Sequence, residues 1–218
     1  MRVFSGNRNG GTLALLASCL LAFVLAGTQP ARADLFGKKE MPFTDLRPFP
    51  KWTGMLDRYA QEQAAQGSKN CAGKGFNACQ YDRWLAFIET LRDKPKDQQL
   101  SSVNNYFNRN PYILDSINWG EADYWETPGQ FLAKSGDCED YAIIKYMTLK
   151  RLGWPVEAMR VVVLEDMNLK AMHAVLAVTF EGRQQILDNQ IAVITDDRRI
   201  RHYRPIFAVN EEGWWRFF

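Results

Sequence analysis

The sequence predicts an α+β domain in which helices are packed on an antiparallel sheet. Two observations carry this. Apolar residues recur at helical spacing up to Gly153, and from Met159 onward they fall in short β-branched runs separated by turn residues. Helices first and strands afterwards, within a length that suits one domain, is an α+β order and not an alternation of βαβ units.

Residues 1–33 read as a signal peptide. Arg2 and Arg8 precede an apolar centre over residues 13–26, and Ala31-Arg32-Ala33 supplies a cleavage signal. About 14 apolar residues fall short of the roughly 20 that a spanning helix needs. A lipoprotein-like pattern, Leu16-Ala17-Ser18-Cys19, lies inside this segment. Cleavage there would leave an apolar run beside the lipidated cysteine, where a polar linker is expected, so cleavage after Ala33 is preferred.

The mature chain, residues 34–218, is then a single domain of 185 residues with 24 basic and 25 acidic side chains. That balance, like the net charge of +2 over all 218 residues, lacks the basic excess of a nucleic-acid-binding surface. The expected location is periplasmic, with no stable membrane insertion after processing. Three cysteines remain. Cys71 and Cys79 bracket a Gly/Asn-rich loop that suits a small disulfide in an oxidising compartment, which leaves Cys138 as the odd thiol.

Along the chain, residues 34–50 are rich in Pro and Phe without a period and read as an extended arm. Residues 53–66 form a helical pattern opened by Thr53 as cap. Residues 81–93 place Trp84, Leu85, Ile88 and Leu91 on one face, and residues 97–108 do the same with Leu100, Val103 and Phe107. Thr127-Pro128 marks a short helix start. After the break at Ser135-Gly136-Asp137, a helix runs over residues 138–152 and stops at Gly153 and Pro155. Strands follow at residues 159–165, 172–180 and 184–187, with another at 203–209 and an aromatic tail at 214–218 covering the core.

The chemistry gathers around Cys138. It stands in the first turn of a helix, where unpaired N–H groups and the helix dipole favour a thiolate. The chain has two histidines. His202 lies among arginines and reads as a surface residue. His173 lies inside an apolar strand, where an imidazole needs a partner. A two-residue loop at Glu181-Gly182 pairs Phe180 with Arg183 and so puts Asp188 diagonal to His173 on one face, with Asn189 facing away. Nucleophile, base and orienting carboxylate make an acyl-transfer set. Water as acceptor gives a protease or amidase; an amine gives a transglutaminase.

Asp137, Glu139 and Asp140 crowd the thiol with like charge, which opposes the thiolate. Their plain role is capping and dipole complementation. A calcium ion, which takes carboxylate and carbonyl oxygens, is the other resolution. Oxyanion donors include the Cys138 N–H, with Trp125 or Gln130 as a further candidate.

The run Gly136-Asp-Cys-Glu-Asp-Tyr-Ala142, followed by His173 in a strand and Leu187-Asp-Asn-Gln190, resembles the bacterial transglutaminase-like cysteine proteinases over most of the mature chain. The resemblance implies a papain-like, transglutaminase-like core and a Cys138-His173-Asp188 triad. It also implies calcium held by Asp137, Glu139 and Asp140. The implied substrate is a very large surface adhesin, cut in its N-terminal region to promote biofilm dispersal. The implied inhibitor is the periplasmic domain of an inner-membrane receptor for cyclic di-GMP. Peptidoglycan or amine-acceptor chemistry on the same triad, and a non-catalytic periplasmic binding module, are the competing readings.

Overall fold

The computed structural model describes Met1 and residues 34–64, 70–73 and 75–218; the signal-peptide reading, and Cys19 with it, lies outside the described residues. Among the described residues no helix is long and apolar enough to cross a membrane.

The extended arm contains a strand, β1 (Glu40–Phe43). The first helix, α1 (Pro50–Ala64), begins three residues before the expected cap. Proline is preorganised for the first helical position, and the Thr53 hydroxyl donates back to the Phe49 carbonyl at 3.3 Å instead of capping. Cys71 and Cys79 are disulfide-bonded. The loop they close ends at Asn77, whose side chain caps α2 (Ala78–Leu91) by accepting from the Gln80 N–H at 3.0 Å.

Helix α3 (Lys96–Phe107) follows, then a single turn, α4 (Asp115–Asn118), that no periodic signal announces. Helix α5 (Pro128–Lys134) has the Thr127-Pro128 start, with Thr127 Oγ1 accepting from the Gln130 N–H and Gln130 Oε1 accepting from the Thr127 N–H at 2.9 Å. The helix bearing Cys138, α6 (Cys138–Arg151), is buried from Glu139 to Leu149 and runs through the middle of the molecule.

Strands β2 (Met159–Asp166), β3 (Ala171–Phe180), β4 (Arg183–Leu187), β5 (Thr195–Asp196), β6 (Tyr203–Val209) and β7 (Trp214–Phe217) complete a seven-stranded sheet in the order β1-β7-β6-β2-β3-β4-β5. All of its pairings are antiparallel. The aromatic tail is therefore not a loose cover. It is the strand that joins the N-terminal arm to the sheet.

Alternation along the strands sorts the core into two layers. Val161, Leu176, Val178 and Leu187 pack under the helices against Trp52, Trp84, Phe107, Ile144 and Met147. Val162, Val175, Ile186, Tyr203 and Trp215 face the other way and are joined by Leu35 from the arm. Each such side chain contributes about 1.5–3 kcal/mol on burial, which fixes α6 firmly against β2 and β3.

Candidate active site

The β3–β4 hairpin sets the geometry. Glu181 and Gly182 have φ of 49° and 72°, as a two-residue type I′ turn requires, and the register pairs Phe180 with Arg183 and Leu176 with Leu187. The ladder stops at Leu187, so Asp188 leaves the strand beside His173. His173 Nε2 lies 3.0 Å from Asp188 Oδ1, with both side chains buried.

Asp188 is held from several directions. Its Oδ2 accepts from the Tyr203 hydroxyl at 2.6 Å, its Oδ1 also accepts from the Gln190 N–H at 2.8 Å, and its carbonyl accepts from Asn108 Nδ2 at 2.7 Å. Burial alone would push this carboxyl up. The hydrogen bond and charge of His173, with help from Tyr203 and Gln190, outweigh burial and hold it below the usual carboxylate range. An ionised Asp188 places the imidazole proton on Nε2 and leaves the lone pair on Nδ1, which faces Gln190 Nε2 at 3.4 Å.

Cys138 begins α6 at the point where β3 has outrun β4. Its thiol donates to Glu139 Oε2 at 3.2 Å. Burial pushes the thiol well up, and Glu139 and Asp137 push it further; the Ala174 N–H acts in the opposite sense. The helix start alone favours a thiolate, but in this setting burial prevails, reinforced by Glu139 and Asp137.

Gly136 is dictated by that turn. A Cβ there would lie 2.2 Å from Asp140 Oδ2, because the Asp140 carboxylate folds back to accept from the Asp137 N–H at 3.1 Å and from the Glu126 N–H at 2.7 Å. Asp140 thus clamps two loops. Asp137 and Glu139 point instead toward acidic groups that the sequence reading passed over. Ligand-type atoms lie within 4.8 Å of one another in the sets Asp115, Asp123 and Glu139, and Asp115, Asp137 and Asp140. Asp115 Oδ1 and Asp137 Oδ1 are buried without a hydrogen-bond partner, and so is Glu126 Oε2 nearby.

The electrostatic cost is visible in the same groups. Burial, reinforced by Asp137, raises Glu139 to about 9. Glu126 is raised to about 8 and Asp115 to about 6, burial again leading. Asp140 is raised by burial and by Glu126 and Glu139. Orphaned buried oxygens in an all-carboxylate set fit a hard, oxygen-seeking cation. For the part played by Asp115, Asp123 and Glu126 the sequence holds one trace, four acids, Asp115, Glu121, Asp123 and Glu126, interleaved with aromatics in a segment without a period.

The two oxyanion candidates differ in what holds them. Gln130 is committed to its capping box and donates from Nε2 to the Tyr124 hydroxyl at 2.9 Å, while Trp125 is buried edge-on to Trp52. His202 packs edge-on to Tyr203 with ring centroids 4.6 Å apart. Lys145, two turns along α6, is fully buried against Asn104 Oδ1 at 2.9 Å and lowered to about 7 by burial, Asp188 acting the other way. A surface cavity of about 540 Å³ between α3 and the β3–β4 hairpin contains none of Cys138, His173 or Asp188.

Residues 63–208 match the model of the bacterial transglutaminase-like cysteine proteinase family. The chain belongs to this family. Its fold is accordingly that of a transglutaminase-like cysteine protease. The calcium-bound structure of Legionella pneumophila LapG is 33% identical, covers 71% of this chain and 84% of its own, and superposes with a TM-score of 0.60. The EGTA-treated structure of the same protein is 32% identical over 74% of this chain and 84% of its own, with a TM-score of 0.58. No curated protein matches the chain.

Proposed function

We propose that this cysteine protease is a calcium-dependent periplasmic endopeptidase that cuts the N-terminal region of a large surface adhesin, with Cys138 as nucleophile, His173 as base and Asp188 as its orienting carboxylate. The observation that supports the reading is the hydrogen bond of His173 to a buried, ionised aspartate on the sheet against which α6, the helix that Cys138 begins, is packed.

The chain's own groups suit the steps. His173 Nδ1 takes the thiol proton while Nε2 keeps its bond to Asp188, so the charge that forms on the ring is met by the carboxylate. The thiolate adds to the scissile carbonyl, and the Cys138 N–H, one of the helix's first four, donates to the oxygen. Imidazolium then returns the proton to the leaving amine, and water hydrolyses the thioester with His173 again as base.

Asp137 and Glu139, with Asp115 and Asp123 and with Asp140 behind them, are the residues that would hold calcium. A cation there would supply charge compensation to the carboxylates, Glu139 among them, that oppose ionisation of the Cys138 thiol. The solved relative in calcium-bound and EGTA-treated forms supports this assignment. The family resemblance supports the adhesin as substrate and the periplasmic domain of an inner-membrane cyclic di-GMP receptor as inhibitor, so that cleavage releases the adhesin and disperses the biofilm.

The test is incubation of the mature chain with an N-terminal fragment of the adhesin, followed by mass spectrometry of the products. Wild type is expected to give one cut that the receptor's periplasmic domain suppresses and that Cys138→Ala lacks. Cleavage of cell-wall stem peptides with the adhesin fragment left intact would assign a different substrate.

A further inference from the structure

We propose that Lys145 is a positioning residue for the triad: its amine orients the Asn104 side chain, which holds the loop carrying Asp188 in place against the helix that Cys138 begins. This deepens the reading of Cys138, His173 and Asp188 and rests on it.

Asp188 opens a stretch, residues 188–194, that belongs to no strand. Helix α3 holds this stretch at two points, through asparagines one helical turn apart. Asn108 Nδ2 donates to the Asp188 carbonyl at 2.7 Å, and Asn104 Nδ2 donates to the Ala192 carbonyl at 3.1 Å. Between those points the Gln190 N–H donates to Asp188 Oδ1 at 2.8 Å, and Gln190 Nε2 stands 3.4 Å from His173 Nδ1. Both ring nitrogens of His173 therefore meet a side chain from this one loop.

The Asn104 amide serves that loop in one orientation only. With Nδ2 toward Ala192 it donates; turned over, it would set Oδ1 against a carbonyl oxygen. Lys145 decides between the two, because Nζ donates to Asn104 Oδ1 at 2.9 Å and so leaves Nδ2 for Ala192. An ammonium and a neutral amine give Asn104 the same bond, so the role does not depend on the charge of Lys145. Both side chains are fully buried, and Asn104 Oδ1 is the acceptor that the amine has among the described residues. A lysine so placed loses hydration that one neutral amide does not restore, whereas methionine would fill the same space without that cost. Stability therefore gives no reason for a lysine here, and position does. Lys145 lies seven residues after Cys138, about 10 Å along the same helix. Through one asparagine it ties the helix of the nucleophile to the loop of the carboxylate.

The test compares wild type, Lys145→Met, Asn104→Asp and Cys138→Ala of the full mature chain, in calcium. Two properties are read: cleavage of the adhesin fragment, and the His173 Nε2–H resonance in ¹⁵N-histidine-labelled protein, which has two histidines to assign. Asn104→Asp keeps an acceptor for Lys145 and removes the donor to Ala192. Lys145→Met and Asn104→Asp are each expected to move the resonance and to lower kcat by about 10–10², as a small misplacement of catalytic groups does, with KM and melting temperature unchanged. In an Asp188→Asn background Lys145→Met is expected to add no further loss, since the group it positions is gone. Unchanged kcat or an unmoved resonance in either variant would overturn the proposal. So would a lowered melting temperature in both, which would make the pair a brace for the fold, or an equal loss in the Asp188→Asn background, which would make Lys145 act elsewhere. If Lys145→Met does not fold, Asn104→Asp decides by the same readings. Cleavage by Cys138→Ala, or none by wild type, would remove the proteolytic reading itself, and the resonance alone would then decide the positioning.

Discussion

Cys138 Sγ donates its hydrogen bond to Glu139 Oε2, 3.2 Å away, so the thiol proton is directed at the acidic cluster that surrounds it. The cluster that would hold a cation is thus the same one that disarms the thiol without it. In the proposed mechanism, thiol activation and ion binding share Glu139.

That sharing predicts a calcium-dependent thiol. Iodoacetamide labelling of Cys138 near pH 7.5 is expected to speed up by about tenfold or more on adding calcium to chelator-treated protein, as a fall of one unit or more in thiol pKa implies. Equal rates with calcium and with chelator would show that the carboxylates do not control the sulfur.

A second consequence concerns stability in chelator. Glu126 at about 8, Glu139 at about 9 and Asp115 at about 6 all bind protons in the folded chain at pH values where the unfolded chain has released them. More protons bound in the native state make stability fall as pH rises. Thermal melts in chelator should therefore show a rising melting temperature between pH 8 and pH 6. Saturating calcium should flatten that slope, and a melting temperature that instead rises with pH in chelator would contradict the assignment. Asp188 works in the opposite sense, because its depressed pKa contributes stability that is lost only as pH falls below the ordinary carboxylate range.

Asp188 and Tyr203 separate orientation from support. Asp188→Asn leaves the shape of the site but supplies an amide where the imidazole Nε2–H needs an acceptor, and kcat for adhesin cleavage is expected to fall by about 10²–10⁴. Tyr203→Phe removes one donor to Oδ2, and a loss of about tenfold is expected. If Tyr203→Phe were the more damaging change, the carboxylate would be serving the fold more than the histidine.

How much of this could be read in the sequence differs from residue to residue. Asp188 was legible because a Glu-Gly turn fixes the hairpin register, and register decides which side chain meets His173. The start of α6 was legible because Gly136, the acids and the apolar run after them act locally. Tyr203 was not, since it reaches Asp188 from β6 across the sheet, where no local spacing records the meeting. Asp115 and Asp123 likewise sit in turns whose approach to Glu139 is set by tertiary packing. Thr53 misled for a local reason: proline at position 50 is the stronger start signal, and it moved the helix by one turn.

Gly136 offers a check on the turn itself. Gly136→Ala would drive a methyl into the Asp140 carboxylate that ties the Asp137 and Glu126 backbones together. A destabilisation of about 1–3 kcal/mol by denaturant titration is expected, with weaker calcium binding. An alanine variant as stable as wild type would mean that the clamp is looser than its hydrogen bonds indicate.

The most direct test of the central claim follows cleavage of the adhesin fragment while calcium is titrated into chelator-treated protein, with Cys138→Ala and His173→Ala run alongside. The account predicts that cutting appears with calcium, vanishes again with chelator, and is absent from both variants. Undiminished cutting in chelator, or cutting by either variant, would contradict it.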